Sequence, residues 1–166
     1  MTNPIEQVQK LGQAVWYDNI SRGLLESGGL KHLVDMGITG LTSNPTIFEK
    51  AVAAGSEYDE ALNSLSRNDT DVKETYESIA LEDIASAAEL LRPIYNRTKG
   101  VDGYACLEVS PELAHSTDGT VAEARRLFRE LNQPNAMIKV PATFQGIPAS
   151  SKLIAEGINI NVTLIF

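Results

Sequence analysis

Lys139 stands in the run Met137-Ile138-Lys139-Val140-Pro141-Ala142-Thr143, which otherwise reads as a buried strand. An ammonium group among apolar side chains is costly to desolvate, so its charged form is disfavoured and its pKa is expected to fall. A lysine that is partly neutral near pH 7 attacks carbonyl carbon and forms a Schiff base. The plainer alternatives are a lysine that snorkels from a strand end or pairs with a carboxylate. Four other apolar runs also carry a polar residue near their C-terminal ends. They hold Asp18 in Trp16-Tyr17-Asp18-Asn19, Asn44 in Thr42-Ser43-Asn44-Pro45, Glu108 in Cys106-Leu107-Glu108-Val109, and Asn161 with Thr163 in Asn159-Ile160-Asn161-Val162-Thr163-Leu164. Side chains alternate along a strand, so Ile138 and Val140 point away from Lys139, and Leu107 and Val109 away from Glu108. Turn capping is an alternative role for Asp18, Asn44 and Thr163, and a structural Glu108–Lys139 ion pair is another reading of that couple.

Short β-rich runs alternate with longer helical patterns, which predicts a parallel sheet with helical crossovers. Strands are expected at 14–19, 38–43, 103–109, 136–141 and 158–166. Residues 4–12 form an amphipathic opening helix, and Gly28-Gly29 divides the next helix in two. The connection from Pro45 to Gly100 holds helices near 57–65 and 71–95, with Pro93 distorting the last turn of the second. Thr120 with Glu123 has the spacing of a capping box for a helix running to Leu131. A short helix covers 148–156 and stops at Gly157. In a sheet curved into a barrel the polar set faces the interior, and (β/α)8 enzymes place their chemistry at the C-terminal ends of strands.

The chain has 166 residues and a formal charge of −8. One domain spanning 1–166 is expected. The acidic balance argues against nucleic acid or an anionic membrane as partner. The basic spots Arg125-Arg126 with Arg129, and Arg92 with Arg97 and Lys99, read as solvated helix faces. The single cysteine, Cys106, excludes an internal disulfide and reads as a buried hydrophobe in a reducing compartment. His32 and His115 do not have metal-ligand spacing, and the sequence shows neither a signal peptide nor a membrane span. A cytoplasmic location is the expectation. The last strand is apolar with no helix after it, so the chain reads as cut, with an edge open to self-association.

Asp18, the run Gly40-Leu41-Thr42-Ser43-Asn44-Pro45-Thr46-Ile47-Phe48, Leu107-Glu108-Val109-Ser110-Pro111, Ile138-Lys139-Val140-Pro141-Ala142-Thr143 and Asn161-Val162-Thr163-Leu164-Ile165-Phe166 together resemble the transaldolase family, in family order. Asp102-Gly103-Tyr104 and Pro134-Asn135-Ala136-Met137 resemble its longer bacterial form. The resemblance implies an α/β fold of the (β/α)8 TIM-barrel type, here about the first five β/α units of an incomplete barrel. It implies transfer of a dihydroxyacetone unit from sedoheptulose 7-phosphate or fructose 6-phosphate to an aldose phosphate, in the pentose phosphate pathway, with no metal or organic cofactor. It assigns the Schiff base to Lys139, acid–base work at C4 to Asp18, a proton-relaying water to Glu108 and Thr163, and the donor's hydroxyls to Asn44 and Asn161. The family's phosphate-binding arginines follow the fifth strand, so little or no turnover is expected of these 166 residues alone. Two other readings stay open: a non-catalytic, self-associating fragment, and a lyase resembling fructose-6-phosphate aldolase.

Overall fold

The structure is a computed structural model that describes residues 3–66 and 71–165, the side chains of 65 and 66 excepted. In chain order the elements are α1 (Pro4–Lys10), β1 (Trp16–Asp18), α2 (Arg22–Glu26), α3 (Gly29–Asp35), β2 (Gly40–Thr42), α4 (Pro45–Ala54), α5 (Asp59–Ser66) and α6 (Val72–Thr98). After them come β3 (Ala105–Glu108), a 3₁₀ turn at Pro111–Leu113, α7 (Thr117–Leu131), β4 (Ala136–Pro141), α8 (Gly146–Ala155) and β5 (Ile160–Thr163). All neighbouring strands pair in parallel, and their order in the sheet is their order in the chain, β1-β2-β3-β4-β5. This is the arrangement of an incomplete (β/α)8 barrel.

One face of the sheet carries the packing. Leu107, Val109, Ile138 and Val140 are all buried, and they share one apolar cluster with Ile84 and Leu91 of α6, Val121 and Leu127 of α7, and Leu153 of α8. Period-2 alternation in the strands meets period-3.6 patterning in the helices, so each element buries the stripe its sequence prescribes. Among the described residues no helix is long and apolar enough to cross a membrane.

Several local expectations are corrected. The start of the long connection is helical over Pro45–Ala54: Asn44 caps α4 by accepting from the Ile47 amide (3.0 Å), and Pro45 fills its first turn, where a missing N–H costs nothing. α6 continues past the expected end near 95 to Thr98, so Pro93 lies inside the helix and not in its last turn. Thr120 and Glu123 are not a capping box. Ser116 caps α7 by accepting from the Gly119 amide, Thr120 is buried inside the helix with its hydroxyl on the Leu113 carbonyl, and Glu123 accepts from the Ser110 amide. Observed strands are shorter than expected at both ends except β4, which spans 136–141 as read. Of the expected fifth strand, Phe166 lies outside the described residues and Leu164 turns to a positive φ of 61°. Gly28, at φ 76°, separates α2 from α3 as anticipated. Arg92 is not merely solvated: its guanidinium donates to Asn135 Oδ1 (2.9 Å) and to Gln133.

Asn135 ties the N-terminal ends of β3 and β4 to α6. Fully buried, it donates from Nδ2 to the Ala88 and Gly103 carbonyls (2.7 Å each), and its backbone carbonyl accepts from the Ala105 amide. Replacing it with alanine strands two buried carbonyls and the Arg92 donor. Asn135→Ala is expected to destabilise the fold by about 1–3 kcal/mol, read as a lower urea midpoint at constant m-value. A midpoint unchanged from wild type would show that the node is dispensable.

Candidate active site

Register decides what Lys139 meets. β3 and β4 pair Glu108 with Lys139, and β4 and β5 pair Lys139 with Asn161. Directly paired residues share a face, so Glu108, Lys139 and Asn161 lie side by side on the face opposite Leu107, Ile138 and Val140. The Leu41–Ala105 pairing, carried one residue along, sets Thr42 beside Cys106 on that same face, and Asp18 is paired with Thr42. Thr163 follows Asn161 by two positions and pairs with Pro141, with its backbone carbonyl accepting from the Ala142 amide (2.8 Å).

Lys139 is 8% exposed. Its Nζ donates to the Ser43 carbonyl at 3.2 Å and lies 3.7 Å from Glu108 Oε2. Its sequence neighbours Ile138 and Val140 are therefore not its spatial surroundings, and the amine sits in a polar notch formed by β2 and β3. Ser43 is itself tied across the sheet, its hydroxyl donating to the Cys106 carbonyl (2.8 Å). A carboxylate therefore stands within ion-pair distance of Lys139.

Burial raises the Glu108 pKa above its ordinary value, the Lys139 ammonium pulls it back, and the Asp18 charge pushes it up again. Asp18 thus lies close enough for its field to reach Glu108, although it is exposed at the open end of β1. Below this row, burial pushes the Cys106 thiol up to about 12 against the pull of the Lys139 charge, which leaves an inert small hydrophobe. The Thr42 hydroxyl beside it is buried without a hydrogen-bond partner among the described residues.

Asn44 stands apart from the others. Its side-chain oxygen is engaged as the α4 cap, leaving the NH₂ group for any contact beyond the chain. The loop after Glu108 is fixed from outside by the Ser110 amide on Glu123 (2.6 Å). That after Lys139 is fixed by Thr143, whose hydroxyl donates to the Ala114 carbonyl (2.6 Å) and accepts from the Gly146 amide (2.9 Å). A Cβ at Gly146 would fall 2.0 Å from the Pro141 carbonyl oxygen, so only glycine permits this tight return from strand to helix. Sequence reading missed the Ser43 carbonyl as the lysine's acceptor, and a backbone oxygen leaves no signal in residue type.

A cavity of about 470 Å³ opens beside this row, between α4, α6 and α7, with Glu108, Leu107, Tyr76 and Pro45 among its walls. Burial, followed by the charges of Glu108, Glu77 and Glu123, pushes the Tyr76 hydroxyl up to about 12, so it is a neutral donor in that wall.

Comparison with known proteins adds to the geometry. The family described as Transaldolase/Fructose-6-phosphate aldolase matches residues 15–166. A protein named Transaldolase from Thermobifida fusca (strain YX) is 50% identical over 167 residues, covering 100% of this chain and 45% of that protein. Transaldolase 2 from Nostoc punctiforme (strain ATCC 29133 / PCC 73102) is 44% identical over 166 residues, covering 99% of this chain and 44% of the relative. The chain spans a little under half the length of these curated relatives. With a parallel five-stranded sheet and a matching stretch that takes in every strand, the chain belongs to the transaldolase/fructose-6-phosphate aldolase family.

Proposed function

We propose that these residues form the Schiff-base part of a transaldolase active site. The observation that carries the reading is Lys139 Nζ, nearly excluded from solvent on the inner face and 3.7 Å from Glu108 Oε2. In its neutral form the amine attacks the ketose carbonyl and gives a carbinolamine. A proton from Glu108, passed through a water held with Thr163, lets the hydroxyl leave as water and forms the iminium. Asp18 then takes the C4 hydroxyl proton as the C3–C4 bond breaks, and the bonding pair flows into the iminium to give an enamine. The first aldehyde leaves, the acceptor aldehyde adds at C3, and Asp18 returns the proton to the new hydroxyl. Water finally releases the product and regenerates the amine. General acid–base help at each transfer is typically worth 10²–10⁴-fold. Asn44 and Asn161 hold the hydroxyls of the dihydroxyacetone unit.

Substrates on this reading are sedoheptulose 7-phosphate or fructose 6-phosphate as donor, and glyceraldehyde 3-phosphate or erythrose 4-phosphate as acceptor. The relatives' name, transaldolase, supports transfer over net cleavage. Fructose-6-phosphate aldolase shares the family description, so cleavage of fructose 6-phosphate without an acceptor is the measure that separates the two. Sugar-phosphate metabolism and a buried, unpaired Cys106 fit a cytoplasmic protein.

A second reading concerns assembly. Within the described residues β5 pairs on one side only, and Val162, Leu164 and Ile165 are 38%, 63% and 69% exposed. An apolar, half-paired edge is a template for another strand. We propose that the isolated chain self-associates through it.

Three outcomes are expected. Borohydride reduction with dihydroxyacetone, which needs no phosphate site, adds mass at Lys139, and Lys139→Arg abolishes the adduct; a wild-type chain left unmodified would refute the Schiff-base role. Glu108, its pKa raised by burial, contributes stability that is complete below the ordinary glutamate value of 4.5 and lost as pH rises through its folded value. The stability of wild type relative to Glu108→Gln should therefore fall as pH increases above 4.5, and a pH-independent difference would contradict the shift. Light scattering behind size-exclusion chromatography should give a mass that grows with loading concentration, whereas a compact monomer at all concentrations rules out association through β5.

A further inference from the structure

Asp83 is a carboxylate in the middle of α6, 2% exposed and surrounded by core. Its two oxygens are taken up by groups from elsewhere in the chain. Arg22 donates to Oδ1 from Nε (3.0 Å) and Nη2 (2.8 Å), and the Tyr58 hydroxyl donates to Oδ2 (2.8 Å). That hydroxyl also accepts from the Arg22 amide (2.8 Å), and the Arg22 guanidinium carbon lies 5.2 Å from the Tyr58 ring centroid. Glu82 accepts from the outer side of the same guanidinium (2.6 Å). Tyr58 is 1% exposed. The network thus closes on itself: one residue of α2, one before α5 and one of α6, each bonded to the other two.

Its place matters because of what precedes Arg22. β1 is three residues long and, among the described residues, pairs with β2 alone, through Trp16–Gly40, Tyr17–Leu41 and Asp18–Thr42. Asp18 is the last of those pairs, at the C-terminal end of a short strand. Between Asp18 and Arg22 lie only Asn19, Ile20 and Ser21. Ile20 is fully buried, and Ser21 caps α2 from the Leu24 amide (3.1 Å). A tether of three residues leaves little slack, so the position of the Arg22 backbone fixes the corner that carries Asp18. Stability alone does not call for ions here, since apolar groups of similar volume commonly hold a core as well or better. What the ions add is direction: a guanidinium fork on one carboxylate oxygen and a phenol that bonds the Arg22 backbone itself.

We propose that Arg22, Tyr58 and Asp83 are positioning residues for Asp18, a clamp that fixes the β1–α2 corner against α6 so that the Asp18 carboxylate meets the reacting hydroxyl. The inference rests on the reading of Asp18 as the group that moves the C4 proton. It acts through geometry, and a displacement of about 1 Å in a catalytic group is enough for losses near 10²-fold.

The test uses the 166-residue chain and two variants, Tyr58→Phe and Asp83→Asn. The first removes one hydroxyl and keeps the ring, so it reports even if the second fails to fold. Backbone ¹⁵N order parameters at Asp18, Asn19 and Ile20 should fall from about 0.85 toward 0.6, while those of β3 and β4 stay unchanged. In parallel, borohydride trapping of dihydroxyacetone at Lys139, which does not involve Asp18, should match wild type. Single-turnover release of glyceraldehyde 3-phosphate from fructose 6-phosphate, already slow in the wild-type chain, should drop about 10- to 100-fold, and the same loss is expected of Asp18→Asn. Rigid residues 18–20 in a folded Tyr58→Phe variant would overturn the clamp and leave the network a stability element only. A wild-type chain that traps no dihydroxyacetone would instead defeat the Schiff-base reading, and the order parameters would still decide the clamp.

Discussion

A primary amine is placed on the inner face of a strand only where neighbouring strands supply oxygens for it, because an ion without partners costs several kcal/mol to bury. Lys139 meets that condition from two strands at once, with the Ser43 carbonyl of the segment after β2 and the carboxylate of Glu108 on β3. The requirement propagates. Ser43 must present its carbonyl at that level, and its hydroxyl is in turn bonded to the Cys106 carbonyl on β3. Glu108 must stand in register with Lys139, which fixes how β3 and β4 slide past one another. A slip of one residue would turn the lysine toward α7 and α8 and send Ile138 or Val140 inward. Register, core and site are therefore one constraint met in several places.

The two ends of the strands are held differently. At the N-terminal ends the bonds are dense and satisfied: Asn135 spans α6, β3 and β4, and the Trp16 indole donates to Asp102 (2.9 Å) while lying over Gly40, where a Cβ would fall 2.4 Å from the ring. At the C-terminal ends the fixing bonds lie outside the row of polar groups, in Glu123 on the Ser110 amide, Thr143 on the Ala114 carbonyl, and the Arg22–Tyr58–Asp83 clamp. Among the described residues the Asn161 and Thr163 side chains of the row make no hydrogen bond. A bonded N-terminal end and a polar row at the C-terminal end match the arrangement general to (β/α)8 barrels, on which the proposed chemistry rests.

How much of this was legible follows from the range of each interaction. β4 was bounded correctly because 136–141 is apolar except for one residue and is flanked by Asn135 and the Thr143–Gly146 turn. Lys139, Glu108 and Asn161 were found by alternation, a local rule, and the register places them together. The expected apolar surroundings of the lysine amine were misjudged on that same rule, because its apolar sequence neighbours face the helices and Nζ meets the Ser43 carbonyl and Glu108. α4 was missed because Asn44-Pro45 also reads as a turn, and the deciding bond, from the Ile47 amide to Asn44 Oδ1, looks forward into the helix. The Thr120–Glu123 signature misled because Ser116 reached the Gly119 amide first and freed Glu123 for Ser110. The clamp was invisible: its partners are 61 and 25 residues apart, and in sequence each is an ordinary charged or aromatic residue.

The electrostatics of Glu108 connect the resting geometry to the proposed chemistry. Burial and Asp18 raise its proton affinity, and the Lys139 ammonium lowers it. In the proposed cycle the Lys139 ammonium passes a proton to Glu108 and becomes the attacking amine; with that charge gone, in the amine and in the carbinolamine alike, the lowering contribution disappears while burial and Asp18 remain. Glu108 then holds a proton more tightly than at rest, at the stage where the carbinolamine hydroxyl needs one in order to leave. Loss of water creates an iminium, positive charge returns beside Glu108, and the carboxylate that has just given up its proton becomes that ion's partner. On that proposal the ion pair seen at 3.7 Å is the resting end of the cycle. A hydrophobic isostere would satisfy the core at least as well, but it would lack the charge alternation on which the proposed dehydration depends.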